Sequence, residues 1–163
     1  GVISGIGHPL LGPDHLLFLL AIALVGLRQP RRWVLPLLAL GLGGSLVSQL
    51  VPLPSALETA AEACVSLTLV LEGLVILGRL PVWLLLPAIS LHGYLLGGAV
   101  IGAEPAPLFA YGLGLLIGQG VLLLAVTGVS SRLLEGVGSN GRQIAAGVWI
   151  GIGAAFTWSL LVP

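Results

Sequence analysis

The chain reads as an all-α polytopic membrane protein, six transmembrane helices in one compact bundle, on three observations. Of its 163 residues 57% are hydrophobic and only 7% are charged, against about 25% charged in a soluble domain. The apolar residues fall into long runs, separated by short breaks rich in Pro, Gly and Arg. At ~20 residues per span the length has room for about six crossings with tight connections. A single domain covering 1–163 follows, with no soluble domain, long linker or tail in view.

The first run extends from Pro13 to Leu27, short for a full crossing, so residues 1–12 are expected to supply the rest of its depth. Its start is predicted to be broken near Gly12-Pro13, with Pro13 at the first helical position, where a missing N–H does no harm. The second run is Trp33 to Val51 and the third Ala60 to Leu77. The fourth is Val82 to Ile101, the fifth Leu108 to Val129, and the sixth Gln143 to Leu161. A long connection, Ser130 through Arg142, is expected between the last two.

All six basic residues are arginines, and they mark alternate connections. Arg28, Arg31, Arg32, Arg79, Arg132 and Arg142 lie in the first, third and fifth, whereas the second and fourth carry Glu58 and Glu104. By the positive-inside rule the odd connections face the cytoplasm, and both termini face the outer or lumenal side. An outward N-terminus before a first helix fits a cleaved signal peptide, and the chain begins with Gly1 rather than Met. The expected location is a membrane.

A lone cysteine, Cys64, excludes an internal disulfide or a cysteine metal cluster within one chain, and is expected to pack as a small apolar residue. No basic patch suggests nucleic acid as a partner. The partner implied by composition is the lipid bilayer. Glycines recur at small-xxx-small spacing, as Gly93/Gly97, Gly98/Gly102, Gly114/Gly118 and Gly147/Gly151, which predicts close helix–helix approaches.

Ionisable residues in such a chain call for a reason. His8 and His15, two of only three histidines, flank Asp14 within eight positions at the mouth of the first run. Imidazole and carboxylate suit nickel, cobalt, zinc or iron ions. In one unbroken helix the two histidines would stand about 10.5 Å apart along the axis, too far to share an ion. A broken entry lets His8 fold back toward His15. The plainer alternative has Asp14 capping a helix and the histidines sitting in the interface.

His92 lies mid-way along the fourth run, expected inward of that cluster. Glu72 stands within the third run, as a proton carrier, an ion ligand, or a neutral structural carboxyl. Glu62 lies near the outer end of the same run, able to face a vestibule. Glu104 falls in an outer loop. Gln49 and Gln119 are expected to hydrogen-bond between helices. No nucleophile elbow, zinc-protease helix or phosphate loop is present, so no enzyme activity is expected. A haem held between two histidines would need a matched pair; His15 near the outer end and His92 deeper make an awkward one.

The run from His8-Pro9 through Gly12-Pro13-Asp14-His15 resembles the first-helix signature of the HupE/UreJ family, His-Pro-x-x-Gly-x-Asp-His, at every fixed position. The resemblance extends over the six-helix layout and nearly the whole length. His92-Gly93-Tyr94, Gly97 and Ile101-Gly102-Ala103-Glu104-Pro105 resemble the fourth-helix region, particularly of cyanobacterial members, for which the membrane would be inner or thylakoid. The family is associated with nickel or cobalt uptake.

The resemblance implies a permease or facilitator moving Ni2+ or Co2+, with His8, Asp14, His15 and His92 as metal ligands and Glu62, Glu72 and Glu104 along the pathway or vestibule. No tightly bound cofactor is implied. Two departures stand on the fourth helix. Leu96 occupies a position where many members have a second His, and Gly98 one where cyanobacterial-type members carry Glu. They motivate an alternative, a transport-impaired accessory subunit of a larger membrane complex. A homo-oligomer, or a haem- or pigment-binding protein, are further readings.

Overall fold

The computed structural model describes residues 1–99 and 108–162. They form helices α1 (Val2–Leu11), α2 (Pro13–Val25), α3 (Arg31–Leu50), α4 (Glu58–Ile76), α5 (Leu85–Gly98) and α6 (Leu108–Leu161), with single 3-10 turns at Ser55–Leu57 and Val82–Leu84.

Three helical stretches are long and apolar enough to cross a bilayer: Arg31–Leu50, Ser55–Ile76 and Phe109–Leu161. The bent pair α1 and α2 makes a fourth if it counts as one span, and Val82–Gly98 is apolar but shorter. Six separate crossings are thus not what these lengths return. The first expected span is instead two helices, because residues 2–11 are themselves helical. The fifth and sixth expected spans are one element.

The 54 residues of α6 would reach about 80 Å as a straight rod at 1.5 Å per residue, far beyond the ~30 Å hydrocarbon core. The rod is not straight. Gly138 has φ 67° and ψ −177°, inside an otherwise helical run, a conformation open to glycine at little steric expense.

Contacts on the two sides of Gly138 run in opposite senses. Before it, Tyr111 and Leu115 lie against Gly5, Gly118 lies against Ile6, and Ser130 donates to the Ala23 carbonyl at 2.7 Å. After it, Arg142 lies beside Gly26, Trp149 Nε1 donates to the Leu17 carbonyl at 3.0 Å, and Gly153 rests on Ser66. The chain therefore doubles back near Gly138. The connection expected over Ser130–Arg142 is helical up to this single residue.

The interior is aliphatic and aromatic, centred on Phe18, Leu19, Ile22, Leu37, Leu69, Leu85, Ile89 and Leu123. The exterior is apolar too: Leu35, Leu50, Val121, Ile144 and Trp158 are exposed. A helix apolar all round belongs in lipid.

Glycine sets the closest seams, at only some of the expected places. A methyl group at Gly93 or Gly97 would collide with the α3 backbone at Gly41 or Ser45, and one at Gly114 with the carbonyl of Val2. Gly98, Gly147 and Gly151 meet nothing. Cys64 is exposed rather than packed inside, because its side of α4 faces away from the bundle. Arg28, Arg31, Arg32, Arg79, Arg132 and Arg142 gather toward one end, where α2 and α4 finish and α6 turns back.

Candidate functional site

At the opposite end the N-termini of α2 and α4 meet the C-terminal parts of α5 and α6 around a cavity of about 400 Å³. Its wall includes His8, Asp14, His15, Glu62 and His92. A larger, more apolar cavity of about 640 Å³ lies between α3 and α6, and among the described residues that line it only Tyr111 is ionisable. Chemistry therefore centres on the first.

The entry to α2 makes that convergence possible. Pro13 has no N–H for a continuing helix, and it disfavours the helical region for the residue before it. Gly12 is accordingly extended, at φ −83° and ψ 107°, and α1 leaves α2 at a 70° bend. The expected break is where the sequence placed it, and it brings His8 and His15 to one wall. His8 also meets the ring of Tyr111 edge-on, with centroids 5.9 Å apart.

Asp14 falls in the first turn of α2, where the helix dipole favours a carboxylate. Its Oδ1 accepts from the His15 backbone N–H at 2.9 Å. The N-cap position itself is Gly12, with no side-chain cap bond, so Asp14 lines the cavity from within the first turn rather than capping the helix.

His15 is 1% exposed, and neither ring nitrogen has a hydrogen-bond partner. Its ring lies 5.2 Å from that of His92, tilted 55°. His92 is therefore not a station apart from His15; α4 packs against both α2 and α5, and the two rings meet there. Phe18 lies under His92 at 4.5 Å.

The local sequence of α5 explains the aim of His92. Gly93 and Gly97 form the face seated on α3, where Ser45 Oγ donates to the Gly93 carbonyl at 2.7 Å and Gln49 Nε2 to the Gly97 carbonyl at 2.9 Å. Turning that face to α3 turns His92, and Leu96 one turn on, to the cavity. Leu96, where the family resemblance leads one to expect a second histidine, is thus cavity wall in this chain.

Thr68 of α4 holds His92 from behind, with Oγ1 2.7 Å from Nε2. The same oxygen lies 2.6 Å from the Val65 carbonyl. The Thr68 hydroxyl thus bridges the Val65 carbonyl and His92 Nε2, whose donor or acceptor role follows the ring's tautomer. Such a second-layer partner fixes the orientation of a ligating imidazole. Sequence reading passed over Thr68; its signal was the four-residue spacing to Glu72 on an apolar helix.

Glu62 is exposed at the cavity rim, and Ser66, one turn further, is buried in its wall. Glu72 is fully buried and lies outside the lining. Gln49 bonds between helices as expected. Gln119 does not, since both its amide atoms are buried without a partner. Glu104 lies outside the described residues. Among those described, no three His, Cys, Asp or Glu side chains form a group that could hold a metal ion. The cavity distributes its candidate ligands along a wall.

No curated protein and no solved structure matches the chain. A family model described as HupE / UreJ protein matches residues 1–156, which takes in both helices of the broken entry, the cavity wall and all but the last residues of α6. The chain therefore belongs to the HupE/UreJ family, transport-related membrane proteins associated with nickel and cobalt.

Proposed function

We propose that the protein is a secondary permease or facilitator that takes a divalent transition metal, nickel or cobalt, across a bacterial inner membrane. The observation that carries this reading is the His15–His92 pair, buried at the wall of a cavity shared with His8, Asp14 and Glu62. His15 keeps two unpartnered ring nitrogens, and an unsatisfied buried polar group ordinarily costs about 1–3 kcal/mol. A borderline-soft cation is the partner that imidazole suits. In this reading the cavity opens outward, opposite the arginine end, which the positive-inside rule assigns to the cytoplasm. The two arms of α6 and the broken α1–α2 entry then bring the crossings to six, with both termini outside.

Distributed ligands serve transport better than a closed cage, since the ion must leave as well as enter. The membrane potential alone supplies ~2.3 kcal/mol per charge per 100 mV. Cells producing the chain should accumulate nickel or cobalt above empty-vector cells, and His15→Ala and Asp14→Asn should abolish the excess. Equal accumulation in all four would sink the permease reading.

One observation favours the accessory-subunit alternative: Leu96 presents an apolar side chain to the cavity at a ligand position. Leu96→His separates the two readings. A working permease gains cation affinity from it, whereas an accessory subunit co-purifies with its complex and shows no uptake with either residue.

A further inference from the structure

Among the described residues, one fully buried carboxyl lies beyond the cavity lining and has no role in the entrance. Glu72 is 0% exposed, and neither carboxyl oxygen has a hydrogen-bond partner. It follows Thr68 by one helical turn, about 6 Å along the same face. Thr68 is the residue whose hydroxyl holds His92. One turn further, the Ile76 carbonyl accepts from Arg142 Nη2 at 3.3 Å. A single stripe of α4 thus leads from the histidine pair, past Glu72, to the arginine end.

The elements packed on α4 are α2, α5, α6 and the turn Ser55–Leu57. Their titratable and charged groups are Asp14 and His15 on α2, His92 and Tyr94 on α5, and Tyr111, Arg132, Glu135 and Arg142 on α6. On α4 itself they are Glu58, Glu62 and Cys64. None of them hydrogen-bonds to the Glu72 carboxyl. An ionised carboxylate left alone in such surroundings carries a desolvation penalty of several kcal/mol. The position tolerates a carboxyl in two forms, protonated or facing a cation.

We propose that Glu72 is a proton–cation exchange site. Its carboxyl carries a proton while the histidine pair is empty. It releases that proton to solvent when a divalent cation passes from His15 and His92 to the carboxylate. The O–H bond breaks, one carboxylate–metal contact forms, and no electrons change hands. The cation and carboxylate together carry one net positive charge where the bare ion carries two. Since the Born penalty grows with the square of the charge, the exchange lowers the cost of placing the ion beside this buried carboxyl. The inference rests on the cavity being the cation entrance.

Dicyclohexylcarbodiimide, which attacks protonated carboxyls in apolar surroundings, tests it on the purified full chain, with peptide mass spectrometry as readout. Glu72 should be labelled in cation-free protein. Cobalt at ten times its dissociation constant should cut labelling about tenfold, and His15→Ala should remove that protection. In weak buffer, cobalt binding should release a proton from the wild type that Glu72→Gln does not release. Calorimetry of cobalt binding to wild type and His15→Ala separates the two levels of the argument. Intact, His15-dependent binding with no protection at Glu72 overturns the exchange and leaves the entrance standing. Binding that is absent, or indifferent to His15, overturns both. An unlabelled Glu72 with equal proton release in wild type and Glu72→Gln also overturns the exchange.

Discussion

The two sides of α5 handle buried polar groups in opposite ways. Toward α3, the side chains that α3 turns to α5 are bonded, Ser45 Oγ to the Gly93 carbonyl, Ser48 Oγ to the Ser45 carbonyl and Gln49 Nε2 to the Gly97 carbonyl, while Gln119 of α6, seated on Gly41, is left without a partner. Glycine brings the backbones together and short side chains close the gap. Toward α2 and α4, His15 and Glu72 are equally buried, yet four of their polar atoms have no partner. Native interiors rarely leave such groups orphaned, and those they do leave ask for an explanation. The first side reads as a structural seam. The second reads as a place where lone pairs are held in reserve for a cation.

The largest expected effect breaks the seam. Gly93→Leu puts a branched side chain where a methyl group already collides with the Gly41 carbonyl. The obstacle is backbone, so α5 must move off α3, at about 3 kcal/mol or more, the upper end of overpacking. Unfolding in mixed micelles of increasing SDS fraction should show the loss. Gly147→Leu is the control: nothing lies near Gly147, and a change within about 0.5 kcal/mol is expected. If the two variants are equally stable, the seam is not what holds α5.

A second substitution has the opposite sign and sharpens the contrast. Glu72→Leu removes a buried group with two unsatisfied oxygens and leaves an apolar side chain of similar size among apolar neighbours. A gain of about 1–3 kcal/mol is expected, together with loss of the cobalt-linked proton release. Melting followed by tryptophan fluorescence checks the first, and titration in weak buffer the second. A destabilised Glu72→Leu would show that the carboxyl has a structural partner, and the contrast between the two sides would fail.

Which parts of this arrangement the sequence carried depends on whether the signal was local. The break at Gly12-Pro13 was legible because proline acts on the residue beside it. The glycine seam at Gly93 and Gly97 was legible as spacing, but the same spacing at Gly147 and Gly151 marks an open face. Which face of a helix meets a neighbour is settled by the whole bundle. For the same reason His92 was expected deeper than His15, whereas α4, packed against both α2 and α5, brings the two rings side by side. The reversal at Gly138 was hidden because Ser130 through Val137 are compatible with helix, and the turn needs only one residue with positive φ. Thr68 was missed because a lone threonine on an apolar helix usually bonds its own backbone. It does so here, and meets His92 Nε2 as well.

The smallest effect tests whether seam and site are separable at all. Ser45→Ala deletes the hydroxyl that donates to the Gly93 carbonyl at 2.7 Å, with the Gly41 carbonyl 3.3 Å away. It opens little space, since Ala and Ser differ by one oxygen. Helical carbonyls keep their intrahelical partner, so no orphan is created. Interhelical bonds of this kind average about 0.6 kcal/mol in membrane proteins, and a loss of that order is expected in the same SDS titration. Ser45 does not line the histidine cavity, so cobalt affinity should stay within twofold of wild type while His15→Ala loses it. If Ser45→Ala weakens cobalt binding as His15→Ala does, the α3 seam sets the aim of His92 so tightly that the two faces of α5 act as one device.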